Sequence, residues 1–216
     1  MITRPKSRLD PIERISEILF GLIMVLTVTC TFSVSVADRR AVREMLFAAL
    51  GCNLAWGVID SVFYLMARFS ERGRGVATVQ ALRNTSDPAD VDAILTDALP
   101  PLLASVLTHA EFESLRSRLN QISDVPEHAW LSKGDWLAAV VVFLLVFGAT
   151  LPVVVPFALV SDPKWALRIS NGLAILMLFF AGRALGRYAG RRGWPIGLAM
   201  VMGGGVLVGI TIVLGG

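Results

Sequence analysis

Apolar residues collect in five long runs along the chain, and charged residues crowd into the stretches between them. The runs extend from about Ile15 to Val36, Met45 to Met66, Trp136 to Val160, Trp165 to Leu185 and Trp194 to Leu214. A hydrocarbon core about 30 Å thick takes around 20 helical residues to cross, and each run meets that length. Lipid offers no partners to backbone N–H and C=O groups, so each run is expected to be a helix. The predicted fold is an all-α integral membrane protein of five transmembrane helices, with one small helical cytosolic insert between helices 2 and 3. Its parts are residues 1–66 (N-terminal segment and helices 1–2), 67–135 (the insert) and 136–216 (helices 3–5).

The insert carries its own helix signals. Ser86-Asp87-Pro88 reads as a helix start, with proline at the first helical position and Asp90 and Asp92 in the first turn. That helix should stop before Pro100-Pro101. Thr108-His109-Ala110-Glu111 is a capping box, and Phe112, Leu115, Leu119 and Ile122 follow as one apolar stripe at helical spacing. A hairpin or three-helix unit is expected, too small to bury a large core alone and therefore suited to oligomer contacts.

Composition supports the bilayer as solvent. Of 216 residues, 55% are apolar and 17% charged, against about a quarter charged in a typical soluble domain. The net charge of +3 is explained by basic residues at membrane ends, with no stripe of interleaved aromatics that would suggest nucleic acid. With the N-terminus in the cytosol, 15 of the 20 basic residues fall on the cytosolic side. The positive-inside rule then favours N-in and C-out, in the inner or plasma membrane if the cell is bacterial. Arg39, Arg40 and Arg43 break this pattern locally. Arg4, Lys6 and Arg8 before an apolar run ending in Ser35-Val36-Ala37 superficially match a secretory leader, but the run is too long and carries Glu17, so a retained span is expected. Cys30 and Cys52 lie inside apolar runs and read as packing residues.

Ionisable groups within spans are costly and therefore candidates for function. Asp60 lies deep in the second run and Glu17 near the mouth of the first. Asn53, Gly57, Asp60 and Tyr64 share a face of helix 2; Glu17, Gly21, Met24, Val28, Thr31 and Ser35 share one of helix 1. Opposed, the two faces would make an ion pathway of Glu17, Met24, Asn53 and Asp60, with Glu17 and Asp60 as metal ligands. Oxygen ligands suit hard divalent cations, and a thioether shifts preference toward softer first-row metals. The plainer readings are an interfacial Glu17, a packing Met24, and an Asp60 that is protonated or paired with an arginine. In the insert, Asp87, Asp90, Asp92, Asp97, Glu111, Glu113, Asp124 and Glu127 are further metal candidates, with His109 and His128 nearby, although capping and solvation account for most of them. Gly182, Gly186 and Gly190 line one face of helix 4, and Gly205 and Gly209 one of helix 5; these are expected helix-packing surfaces. Pro152 and Pro156 should bend helix 3.

Three stretches carry a family resemblance: Arg14-Ile15-Ser16-Glu17-Ile18-Leu19-Phe20-Gly21-Leu22, Gly51-Cys52-Asn53-Leu54-Ala55-Trp56-Gly57, and Leu151-Pro152-Val153-Val154-Val155-Pro156-Phe157. Together with the two-spans, insert, three-spans order, they resemble a diverged member of the vacuolar iron transporter family. The resemblance implies a homodimer exchanging ferrous or manganese ions for protons, a cation path between the subunits, Glu17 as the entrance carboxylate, and a metal-collecting insert. The chain departs from that family in its few insert glutamates (Glu71, Glu111 and Glu113 up to that point) and in Val58-Ile59-Asp60-Ser61-Val62-Phe63-Tyr64 at the end of helix 2.

The expected function is divalent-cation transport, with the ion as substrate and no permanently bound cofactor. The rival is a non-transporting dimeric scaffold or regulatory subunit whose insert binds a partner. An enzyme is not expected: C-x-x-C, H-E-x-x-H, a Gly-rich phosphate loop and a nucleophile elbow are all missing.

Overall fold

The computed structural model describes residues 9, 11–33, 39–85, 87–122 and 125–213. Ser35, Asp124 and the basic residues before Leu9 lie outside these, as do the side chains of Cys30 and Thr31. Among the described residues there are eight helices and no strand: α1 Pro11–Ser33, α2 Arg39–Asn84, α3 Pro88–Ala98, α4 Pro101–Ala104, α5 His109–Asn120, α6 Lys133–Leu159, α7 Pro163–Tyr188 and α8 Gly193–Val213. Three of them, α2, α6 and α7, are long and apolar enough to cross a membrane. α8 contributes a shorter apolar stretch, Gly193–Leu207, and α1 starts with Glu13, Arg14 and Glu17 in its first two turns.

The chain divides into two compact units, Met1–Tyr64 with Gly134–Gly216, and Leu65–Lys133. In the first, Leu19, Leu22, Val25 and Leu26 of α1 bury against Ala49 of α2, Ala149 and Val153 of α6, and Ala174 and Leu178 of α7. The buried positions of α7 are Ala166, Ser170, Ala174, Leu178, Gly182 and Gly186, one at every fourth residue. Apart from Leu178 this i, i+4 row consists of small residues, which lets neighbouring helices approach closely. An added Cβ at Gly182 would stand 2.7 Å from Met200, and one at Gly186 2.8 Å from Ile196, so both glycines face α8. The remaining glycines expected to pack do otherwise. Gly190 has φ +68°, and nothing lies near it, so it ends α7 rather than packing; glycine has no Cβ penalty in that left-handed conformation. Among the described residues nothing lies within 4 Å of a Cβ added at Gly205 or Gly209. α6 stays helical through Pro152 and Pro156. Ser170 Oγ donates to the Val153 carbonyl at 2.6 Å, tying α7 to α6.

The second unit begins inside α2. Hydropathy ends near Met66, yet the helix runs to Asn84, because Ala67–Asn84 contains no proline and its two glycines cost only about 1 kcal/mol each. Polar side chains of this extension hold the α5–α6 connection. Arg72 donates to the Trp130 carbonyl at 2.6 Å and lies over its ring, Gln80 donates to Glu127 O at 3.3 Å, and Arg83 donates to Ile122 O. Asp87 caps α3 by accepting from Ala89 N. Leu82, Val91, Leu95 and Phe112 form the small core, with Leu115 and Leu119 against it, so the predicted α5 stripe faces inward.

Candidate functional site

Two contacts set α1 antiparallel to α2 in one register, and an electrostatic relation agrees with it. The Phe20 and Trp56 rings meet edge to face at 5.4 Å. Asn53 Nδ2 donates to the Gly21 carbonyl at 3.0 Å. The carboxylates of Glu17 and Asp60 lie within electrostatic reach of each other, with Glu13 also near Glu17. Gly21 of α1 thus stands opposite Asn53 of α2, with Glu17 and Asp60 one level along from them.

Gly21 is the point where this arrangement is tightest. A Cβ there would come within 2.6 Å of the Val146 carbonyl and 3.2 Å of Ala149 Cβ. Only glycine lets the α1 backbone lie that close to α6. Asn53 is fully buried and also donates to Thr150 Oγ1 on α6 at 2.5 Å, so one amide links three helices. A carbonyl accepts only, so the Gly21 contact requires Nδ2 on that side and leaves Oδ1 facing away. That Oδ1 has no hydrogen-bond partner among the described residues.

Asp60 is half-buried. Its Oδ2 is enclosed and likewise without a hydrogen-bond partner among the described residues. Ser61, beside it, has Oγ 2.7 Å from Gly57 O and 2.8 Å from Ala139 O, and its one proton serves these carbonyls. Asp60 makes no ion pair among the described residues; Arg183, one arginine that could have neutralised it, lies over the Trp194 ring. An enclosed carboxylate oxygen without a partner, within electrostatic reach of a second carboxylate, is a costly arrangement that a cation or a proton relieves.

Met24 and Asn53 stand seven residues from Glu17 and Asp60 respectively, about 10 Å along each helix. They stand about two turns further along the two helices and do not share a coordination sphere with the carboxylates. Met24 is half-buried. Tyr64, the last of the α2 face, packs against the apolar group of Leu9, Ala138 and Val142. Thr150 and Ser61 were not singled out from sequence. The available signal was a hydroxyl in an otherwise apolar span and one next to Asp60.

The insert acids are used locally. Glu111 accepts from both the backbone N–H and Oγ1 of Thr108 at 2.8 Å, and these bonds hold its pKa below the usual glutamate value. Glu113 lies 3.5 Å from Arg116, and Asp92 meets His109 Nδ1 at 2.7 Å. No three His, Cys, Asp or Glu side chains converge on a metal-sized site among the described residues. The geometry thus brings Glu17 and Asp60 together and leaves Glu111 and Glu113 apart from any such cluster.

The family model of the VIT family matches residues 80–216. The chain belongs to the VIT family. Membership points to transport of metal ions across a membrane and away from enzymatic catalysis. The matched segment takes in α3 to α8 and excludes Glu17, Met24, Asn53 and Asp60. No curated protein matches the chain.

Proposed function

We propose that this VIT-family protein carries a divalent cation of the iron or manganese type across the bilayer by exchange with protons. The observation that carries the reading is the enclosed, unpartnered Oδ2 of Asp60 within electrostatic reach of Glu17. Two neighbouring carboxylates suit alternate loading: with a divalent ion bound both are ionised, and without it protons occupy them. The Ser61 hydroxyl and, deeper in, Asn53 Oδ1 and the Met24 thioether line the onward route. Proposed with it are five spans, a cytosolic N-terminus and insert, and an external C-terminus. The functional unit is proposed as a homodimer, with the second copy along the outward apolar face of α2, where Phe47, Leu54, Val58 and Val62 are exposed.

Proteoliposomes loaded with a metal-sensitive dye test it. Wild-type protein should show ferrous or manganous flux driven by a pH gradient, and Asp60→Asn should reduce it to the protein-free rate. Absence of metal and proton flux in wild type would overturn the reading and leave a non-transporting scaffold.

A further inference from the structure

At the N-terminal end of α2, about 25 Å along the helix from Asp60, three helix termini line an amphiphilic cleft. It consists of two adjoining cavities of about 300 and 280 Å³ that share Val42, Phe157 and Pro163. Its walls are the start of α2, the end of α6 and the start of α7, the level at which the apolar stretches give out. Leu46, Phe157 and Leu167 supply apolar lining, while Arg43, Lys164 and Arg168 supply positive charge. None of these three basic side chains pairs with a carboxylate among the described residues. The nearby acids are already used: Glu44 pairs with Arg40 at 3.1 Å, and Asp162 caps α7 by accepting from Lys164 N at 2.9 Å. Two of the cations are held in place by aromatic rings, Arg43 over Phe47 at 5.7 Å and Arg168 over Trp165 at 5.3 Å.

The geometry points to a binding site for one anionic phospholipid, its phosphate held by Arg43, Lys164 and Arg168 and its glycerol and upper acyl chain lying against Leu46, Phe157 and Leu167. Charge complementarity favours a negative headgroup, and the apolar floor favours a lipid over a free anion. Basic side chains between transmembrane helices recognise acidic lipids by this chemistry, and guanidinium groups offer a fork that matches phosphate. The site also explains why Arg43 departs from the charge asymmetry of the other loops. Chain segments distant in sequence set it on a cavity adjoining that of Lys164 and Arg168, and the three charges serve a lipid clamp rather than a topology signal. The proposal stands apart from the transport reading, since binding is measured without flux.

Native mass spectrometry of the full chain in detergent tests it, with phosphatidylglycerol and phosphatidylcholine supplied as competitors. Wild type should retain phosphatidylglycerol preferentially. The triple variant Arg43→Gln/Lys164→Gln/Arg168→Gln should lose that preference, by about fivefold for each charge removed. Arg191→Gln/Arg192→Gln, which removes two charges beyond the other end of α7, should keep it. If the triple variant does not fold, Arg168→Gln alone carries the same expectation at about fivefold. Equal retention of the two lipids by wild type, undiminished preference in the Arg168 variant, or displacement of the bound lipid by millimolar inorganic phosphate would each overturn the proposal.

Discussion

Asn53 Nδ2 donates to the carbonyl of Gly21, one buried amide fastening α2 to the α1 backbone at the place where α1 is pressed against α6. The bond fixes the register that sets Asp60 opposite Glu17. Replacing Asn53 by alanine removes this bond and the one to Thr150. Interhelical hydrogen bonds in membranes contribute about 0.6 kcal/mol on average and up to about 1.7. Asn53→Ala should therefore destabilise the protein by about 1–2 kcal/mol, read as a lower denaturation midpoint in detergent.

Gly21→Ala should be more disruptive than its size suggests. The new Cβ meets backbone oxygen at 2.6 Å, which cannot rotate away, so α1 and α6 must separate. Overpacking of this kind costs about 1–3 kcal/mol. Gly51→Ala, on the same bundle with nothing within 4 Å of the added Cβ, should instead be neutral or stabilising by up to about 1 kcal/mol. Thermal melts of the two variants side by side check the contrast; equal effects would show that close approach at Gly21 is not what limits it.

Glu17→Gln and Asp60→Asn should not add. If both carboxylates serve one cation, either change alone abolishes metal flux and the double variant is no worse. Independent roles would give fractional losses that multiply. Flux measured for the four proteins at one metal concentration decides between these outcomes.

Glu111 makes the insert sensitive to acid. Its two bonds from Thr108 favour the ionised form and lower its pKa from the ordinary value of 4.5. The unfolded chain then binds the proton more readily than the folded one, so stability rises with pH across this window. The contribution is fully present above about pH 4.5 and is lost as pH falls through the lowered folded value. Normalised to the intrinsic exchange rate at each pH, the protection of α5 in the full chain should fall on acidification, and in Glu111→Ala, which removes the acceptor that glutamine would keep, it should be low already at neutral pH.

Residue type and spacing alone determined the apolar helices, the caps at Asp87 and Thr108, and Asp60 and Glu17 as the unusual carboxylates. Each of these depends on local physics: helical period, cap chemistry within one turn, and the cost of a charge in an apolar run. Tertiary structure decided the rest. The continuation of α2 to Asn84 was hidden because its polar half is held by the Trp130, Glu127 and Ile122 carbonyls, which lie far along the chain. Glycine spacing on α7 suggested a packing face, but only the position of α8 separates Gly182 and Gly186, which touch it, from Gly190, which turns the chain. Thr150 and Ser61, and the adjoining cavities that Arg43 and the pair Lys164 and Arg168 line, had no local signature. Hydrogen bonds and charges act across space, and no periodicity records which distant residue will stand opposite.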